Sequence, residues 1–369
     1  MRTFQVWGRA LLAVGLGLAG AGAVAQDGVG KTSLVIGQSV ALSGPAAPLG
    51  ASFAEGARLF FDRVNAGGGI NGRKIDLLTL DDGGDPATTL ANTQKLLAQG
   101  VFSLFGYYGS PQVTAAYPAI KDSEVLLFAP MAGADEFRGW AYPNVHSVRP
   151  GYSEEAVAIM RHAETLGSRK LIILHAGDGE SLAALDASER NMQGRVNLVG
   201  KLPVGEVAKA LKMGPESVLV IGDPRAAAVA ILELRAKGFR GPIYGYSNTG
   251  ESLLAEQLGA AGAGVVVVRV VPRSDNLKLA VVREFQADLS AARSGKPNVY
   301  MLEGYIAARV FTEALRRIPK DPTRAKLKKA IDGLDEVSVG GFRVHFAGDR
   351  VASRLVELSL IDSQGRVRE

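Results

Sequence analysis

The hydrophobic pattern alternates along the chain between short, uninterrupted apolar runs and longer amphipathic stretches. Continuous Val, Leu, Ile and Phe are typical of buried parallel strands, whereas apolar positions three or four residues apart are typical of helices. The apolar runs predict strands at Ser33–Leu42, Ile75–Asp81, Val101–Phe105, Val125–Phe128, Lys170–His175, Val196–Leu202, Ser217–Ile221, Ile243–Tyr246 and Gly264–Val271. The amphipathic stretches predict helices at Ser52–Asn65, Thr88–Gln99, Pro111–Lys121, Ser153–Leu166, Ser181–Met192, Arg225–Lys237, Leu277–Ala292 and Val299–Arg317. Two further runs, Phe342–Phe346 and Leu355–Ile361, predict a closing pair of strands.

This alternation occurs twice in series, which indicates an α/β fold with two doubly wound parallel-sheet lobes. A length of 369 residues is enough for two domains, each with its own core. We expect the chain to cross between the lobes at 144–151, at 272–277 and at 334–341. On this division, lobe 1 comprises residues 31–147 and 272–337, and lobe 2 comprises residues 148–271 and 338–369.

The first 25 residues have the pattern of an export signal. Arg2 and Arg9 form a short basic region, and an apolar run over 10–25 ends in Ala23-Val24-Ala25, which signal peptidase favours. As a helix this run would be about 24 Å long, too short for a bilayer core of roughly 30 Å, which argues against a membrane anchor. We therefore predict cleavage after Ala25 and a periplasmic protein with no membrane span after the signal is removed.

Composition excludes several classes of function. The chain has 42 Lys+Arg and 37 Asp+Glu, which gives a net charge of +5. This charge is small and dispersed along the chain, so it does not favour nucleic acid as a partner. Cysteine is absent, which excludes disulfides, thiolate metal sites and a cysteine nucleophile. The four histidines share no metal-ligand spacing, and no phosphate-binding loop or serine-hydrolase elbow is present. We therefore predict no catalytic residue, no metal site and no cofactor.

The loops that follow the strands are the best candidates for binding, because ligands of open α/β sheets lie beyond the carboxyl ends of the strands. After strand 101–105, Ser110 is a good N-cap and Pro111 suits the first helical position, so the helix start offers N–H groups to an anion. The alternative is that Ser110 caps its own helix and does nothing more. Small-residue turns at 43–50 and 129–135 leave room for a ligand beside the backbone.

A set of short motifs follows one order from about residue 34 to the end. The motifs are Leu42-Ser43-Gly44-Pro45, Gly50, Glu55-Gly56-Ala57, Asn65-Ala66-Gly67-Gly68-Gly69-Ile70-Asn71-Gly72-Arg73, Asp81-Asp82, Asp85-Pro86, Gly106, Ser110, Pro130 and Glu303-Gly304-Tyr305. This ordered set resembles the branched-chain amino acid binding protein family. The resemblance implies the type I periplasmic binding protein fold, in which a hinge of three crossovers lets two lobes close on a small solute. It also implies a receptor of an ABC transporter that acts as a monomer.

The resemblance implies a solute site as well. The carboxylate-binding serine of the family falls on Ser110, and the backbone groups that complete that subsite fall on Met131 and Gly133. The family commonly has a hydroxyl at the latter position, which Gly133 lacks. An aromatic pocket wall falls on Leu49, and a tyrosine of the second lobe falls near Asp178.

The acid that pairs with the ammonium of an amino acid falls on Ser247 or Asn248, and neither is acidic. A buried ammonium needs an anion. Either Asp178 or Asp223 replaces that acid, or the solute has no ammonium.

Four tyrosines in loops beside the cleft either contact the solute or are ordinary packing residues: Tyr107, Tyr108, Tyr152 and Tyr246. We therefore expect a receptor of an ABC importer that binds a carboxylate-bearing solute and docks on a membrane permease. The alternative is a sensor that reports its ligand to a membrane receptor. The sequence does not separate the two functions, because both use the same lobes. A secreted hydrolase has the least support, because no nucleophile–base pair is found.

Overall fold

The computed structural model describes residues 26–192, 194, 196–346 and 350–368, so the predicted signal over 1–25 lies outside the described residues. The first sheet has five parallel strands in the order β2-β1-β3-β4-β5. These strands are β1 Ser33–Val40, β2 Lys74–Asp81, β3 Ser103–Phe105, β4 Leu127–Phe128 and β5 Val145–His146. β1 is at the point where the strand order reverses, so the loops after β1 and β3 face the same edge of the sheet.

The second sheet has seven strands, of which the first five along the chain are parallel and the last two are antiparallel. Its strands are β6 Lys170–His175, β7 Asn197–Pro203, β8 Ser217–Ile221, β9 Ile243–Gly245, β10 Val265–Arg269, β13 Glu357–Ile361 and β14 Val367–Arg368. A separate hairpin consists of β11 Val337–Val339 and β12 Phe342–Val344. The parallel strands of the two sheets confirm the prediction of an α/β fold with two doubly wound lobes.

Eleven α-helices in the described part of the chain cover the two sheets. They are α1 Ala47–Ala66, α2 Pro86–Ala98, α3 Ser110–Ala116, α4 Tyr152–Thr165, α5 Gly179–Asn191, α6 Val207–Lys212, α7 Pro224–Ala236, α8 Glu251–Leu258, α9 Ala280–Ala291, α10 Val299–Arg316 and α11 Arg324–Asp332. The core of the first lobe lies between α1, α10 and the sheet, where the ring of Phe311 contacts the rings of Phe61, Phe105 and Phe128. None of the described helices combines the length and the apolarity that crossing a bilayer requires.

The C-terminal region departs from the expected closing strand pair. The residues 342–346 and 355–361 do not pair with each other: β12 pairs with β11, and β13 pairs with β10 of the second sheet. The reason lies in Gly340-Gly341, both at positive φ (68° and 95°), which form the two-residue turn that joins β11 to β12. Phe342, Val344 and Phe346 are buried in the core of α10 and α11. The hairpin therefore packs on the first lobe, whereas the sequence places residues after 337 in the second.

Candidate functional site

The first side of the site is the loop between β3 and α3. The expectation that Ser110 is the N-cap of this helix is wrong: Gly109 is the N-cap and Ser110 is the first helical residue. The Ser110 hydroxyl oxygen accepts a hydrogen bond from the backbone N–H of Ala134 at 3.1 Å, so it joins the loop after β4 to α3. This arrangement leaves the backbone N–H of Ser110 aimed across the cleft at the second lobe.

A carboxylate of the second lobe accepts a hydrogen bond from that N–H. Glu180, in the first turn of α5, accepts hydrogen bonds from the backbone N–H of Ser110, from the backbone N–H of Gly133 at 3.3 Å, and from the Tyr152 hydroxyl. We call these three donors the carboxylate clamp. The first two belong to the first lobe, whereas Tyr152 opens α4 and packs in the core of the second. The clamp thus takes donors from both lobes.

Tyr152 supplies the hydroxyl that Gly133 lacks. A Cβ atom on Gly133 would lie 2.3–2.5 Å from three ring carbons of Tyr152, so the ring occupies the space of a side chain at position 133. The backbone N–H of Tyr152 donates to the Gly133 carbonyl at 2.8 Å, and its ring meets the ring of Tyr246 edge-on. Burial and the neighbouring Glu180 raise the pKa of Tyr152 well above its usual range. The hydroxyl therefore stays protonated and donates a hydrogen bond to Glu180.

A buried charged cluster lies beside the clamp. Arg149 pairs with Glu155 at 3.0 Å and with Glu303 of α10 at 3.5 Å, and it donates to the hydroxyl of Ser247. Burial raises the pKa of both carboxyl groups. Burial alone would lower the pKa of Arg149, but the two carboxylates raise it above its usual range. The cluster connects the first crossing between the lobes to a helix of each lobe.

Ser247 is fully engaged by this cluster. Its N–H and hydroxyl donate to Glu155 at 2.8 Å each, and its carbonyl accepts from the Tyr300 hydroxyl at 3.0 Å. The next residue differs, because the Asn248 side-chain oxygen is buried and makes no hydrogen bond with the described residues. Of the two positions where the family's acid was expected, only Asn248 offers an unpaired polar atom.

The two candidate replacement acids are helix caps. Asp178 accepts from the N–H and hydroxyl of Ser181 at the start of α5, and Asp223 accepts from the first N–H groups of α7. Burial and the charges of Glu180, Asp178 and Asp223 raise the pKa of Tyr108. The carboxylate in the clamp is that of Glu180, which the sequence analysis did not select. Its position in the first turn after β6, two residues beyond Asp178, was the signal available.

The remaining candidates fall into two groups. Tyr107 and Tyr246 are fully buried and use their hydroxyls inside their own lobes, on Thr93 at 2.9 Å and Ser188 at 2.6 Å respectively. Three others belong to the buried core of the first lobe: Leu49, Tyr108 and Met131. The backbone groups of Met131 bond to the Tyr107 carbonyl and the Gly109 N–H, so they shape the loop and do not face the cleft.

The described residues contain one group with metal-ligand geometry, at the exposed positions Asp335, Glu336 and His345. The His345 ring pairs with the carboxylates of Asp335 and Glu336. Asp81 and Asp82 hold turns: Asp81 accepts from the N–H groups of Leu42, Ser43 and Gly83, as a strand-end pair commonly does.

Comparison with known proteins matches residues 33–366 to the family model for periplasmic binding proteins. The chain is 24% identical over 311 residues to a Leu/Ile/Val-binding protein homolog of Brucella abortus, covering 81% of this chain and 82% of the relative. It is 26% identical over 292 residues to the leucine-specific-binding protein of Salmonella typhimurium, covering 75% and 77%.

A crystal structure of an extracellular ligand-binding receptor from Verminephrobacter eiseniae superposes with a TM-score of 0.86 at 26% identity, covering 92% of this chain and all of that one. The family match extends over most of the chain, and the superposition includes both lobes. The chain therefore belongs to the periplasmic binding protein family and has its type I fold.

Proposed function

We propose that the protein is the periplasmic solute-binding receptor of an ABC importer and that it holds its solute by a carboxylate in the clamp of Ser110, Gly133 and Tyr152. One observation supports this proposal above the others: a carboxylate, that of Glu180, already receives three hydrogen bonds there. Hydrogen bonds to a charged group contribute about 1.5–3 kcal/mol each, so the clamp is a strong subsite for an anion.

The clamp also supplies a mechanism for closure. Its donors come from both lobes, so a solute carboxylate is fully bound only when the lobes are together. A ligand shifts a conformational equilibrium by its differential affinity for the two states, and this solute would favour the closed one. We propose that a membrane permease recognises this closed form.

The rest of the solute would lie between an apolar wall and a polar one. Leu49 and Met131 are buried in the first lobe, whereas Asn248 belongs to the second lobe and its side-chain oxygen has no hydrogen-bond partner among the described residues. This contrast suits a solute with a carboxylate, an apolar part and a hydrogen-bond donor. Two relatives are named for binding leucine, isoleucine or valine, which makes leucine the first solute to test.

The test begins with mass spectrometry of small molecules released from freshly purified protein. Calorimetry then compares three compounds of one carbon skeleton: L-leucine, L-leucinamide, which lacks the carboxylate, and 4-methylpentanoate, which lacks the ammonium. We expect the released solute to carry a carboxylate and the amide to bind at least tenfold more weakly than its parent acid, a difference of about 1.4 kcal/mol. A released solute without a carboxylate would contradict the proposal.

A further inference from the structure

We propose that Glu180 is a built-in competitor for the carboxylate clamp: in the solute-free protein its side chain occupies the clamp, and a solute carboxylate must displace it. The inference rests on the proposed function, because it takes the clamp to be the carboxylate subsite. It adds a residue that sets how tightly and how selectively that subsite binds.

The partners of Glu180 distinguish it from the other acidic residues of α5. Asp178 caps the helix, Asp186 pairs with Arg190 of the same helix, and Glu189 pairs with Lys201 of β7. Each of these contacts lies within the second lobe. Glu180 instead accepts from two backbone N–H groups across the cleft, and no basic side chain among the described residues pairs with it. Its carboxylate is therefore bound as a free anion would be.

The attachment of Glu180 makes it a tethered ligand. The cap at Asp178 fixes the first turn of α5, and this helix touches α3 of the first lobe. The side chain alone can swing out of the clamp, while its backbone stays at the rim of the cleft. A solute thus competes with a carboxylate that is always close by. The apparent affinity for the solute is its intrinsic affinity multiplied by the fraction of clamps that Glu180 leaves free.

The charge of the displaced side chain affects selectivity. Once a solute carboxylate fills the clamp, Glu180 remains near it as a second negative charge, and like charges in one site repel. A solute that carries a positive group relieves this repulsion, whereas a plain carboxylate does not. Glu180 should therefore weaken binding of plain carboxylates most.

The experiment measures the distance between the lobes without any solute. The chain has no cysteine, so spin labels can be attached to single cysteines introduced at exposed Ala87 of α2 and exposed Val229 of α7. Pulsed electron–electron double resonance then compares the distance between the two labels in the parent protein with that in the Glu180→Ala and Glu180→Gln variants. Glu189→Ala is the matched control, because it removes an acid of the same helix outside the cleft. Melting temperatures verify that each variant is folded.

We expect a closed population to be present in the solute-free parent protein and in the control, and to be smaller in both Glu180 variants, whose distances shift toward longer values. Millimolar acetate should return Glu180→Ala to the closed distance, since acetate restores the missing carboxylate, and it should leave the control unchanged. The Glu180→Ala variant should also bind 4-methylpentanoate at least tenfold more tightly than the parent does.

Unchanged distances in both folded variants would overturn the role of Glu180 while leaving the proposed function to its own test. Opening of Glu180→Ala that neither acetate nor leucine reverses would instead contradict the carboxylate subsite itself.

Discussion

The ring of Tyr152 fills the space beside Gly133 that any side chain at position 133 would need. The two residues are also joined by a hydrogen bond of 2.8 Å from the Tyr152 N–H to the Gly133 carbonyl. The absence of a side chain at position 133 therefore does not leave the clamp without a hydroxyl. It allows a tyrosine of the second lobe to supply one.

Substitution of Gly133 by alanine should disable the clamp. The new methyl group would lie within 2.5 Å of the Tyr152 ring and force the ring and its hydroxyl away from Ser110. We expect calorimetry to show at least a tenfold loss of affinity for the solute found by mass spectrometry, or about 1.4 kcal/mol. Gly205→Ala is the matched control, because a Cβ atom there meets nothing within 4 Å. Equal affinities of the two variants would rule out this account of Gly133.

Substitution of Ser110 by alanine tests the connection between α3 and the loop after β4. It removes the acceptor of the Ala134 N–H and leaves that buried group unpaired, which costs about 1–3 kcal/mol. We expect chemical denaturation to show a loss of stability in this range, together with weaker solute binding. Ser290→Ala changes an exposed serine of α9 and should alter neither. A Ser110→Ala protein as stable as that control would mean that the hydroxyl has no structural role.

The fold was predictable from the sequence because its buried parallel strands are continuous apolar runs. β6, β8 and β10 lie within or close to their predicted ranges, since short runs rich in Val, Leu and Ile are typical of buried parallel strands. The hairpin β11–β12 was missed, although Gly340-Gly341 between alternating apolar residues is a typical hairpin signal. The last strand pair was then assigned to the wrong partners.

The site was less predictable, because it depends on contacts between residues far apart in the chain. Ser110 could be selected from its position after β3. Asp178 and Glu180 are both acids at the start of one helix, and nothing local shows which of the two side chains crosses the cleft. What separates them is the direction of each side chain: one caps α5, and the other crosses the cleft. Arg149 was missed for the same reason, since its partners Glu155 and Glu303 meet only in the folded protein.

Replacement of Arg149 by methionine should destabilise the protein strongly. It would leave the buried carboxylates of Glu155 and Glu303 without their cation, and breaking a buried pair in this way costs about 3–5 kcal/mol. Arg58→Met is the control, because Arg58 pairs with Asp62 on the surface of α1, where an ion pair contributes about 0–1 kcal/mol. Chemical denaturation at neutral pH compares the two. Similar small losses in both variants would mean that the cluster is not held by Arg149.

The pH dependence of stability should carry a contribution from His146. This residue is fully buried in β5, and one ring nitrogen lies 2.8 Å from a carboxylate oxygen of Asp332. Burial lowers the pKa of His146, the hydrogen bond to Asp332 raises it, and the net result is a pKa below 6.5. The folded protein therefore holds a neutral imidazole that donates a hydrogen bond to the Asp332 carboxylate. Burial alone would raise the pKa of Asp332, but hydrogen bonds from His146 and Lys328 lower it to about 2, which keeps the carboxyl group ionised across the pH range of the experiment.

The sign of the effect follows from proton uptake. Below about pH 6.5 the histidine of the unfolded chain binds a proton that the folded protein does not, so the stability due to His146 is present above that pH and is lost as the pH falls toward the folded pKa. The loss has a limiting slope of about 1.4 kcal/mol per pH unit. We expect the free energy of unfolding of the parent protein to fall more steeply between pH 7.5 and 5.5 than that of His146→Gln, which keeps the other three histidines. Parallel curves for the two proteins would show that His146 takes up its proton equally in both states.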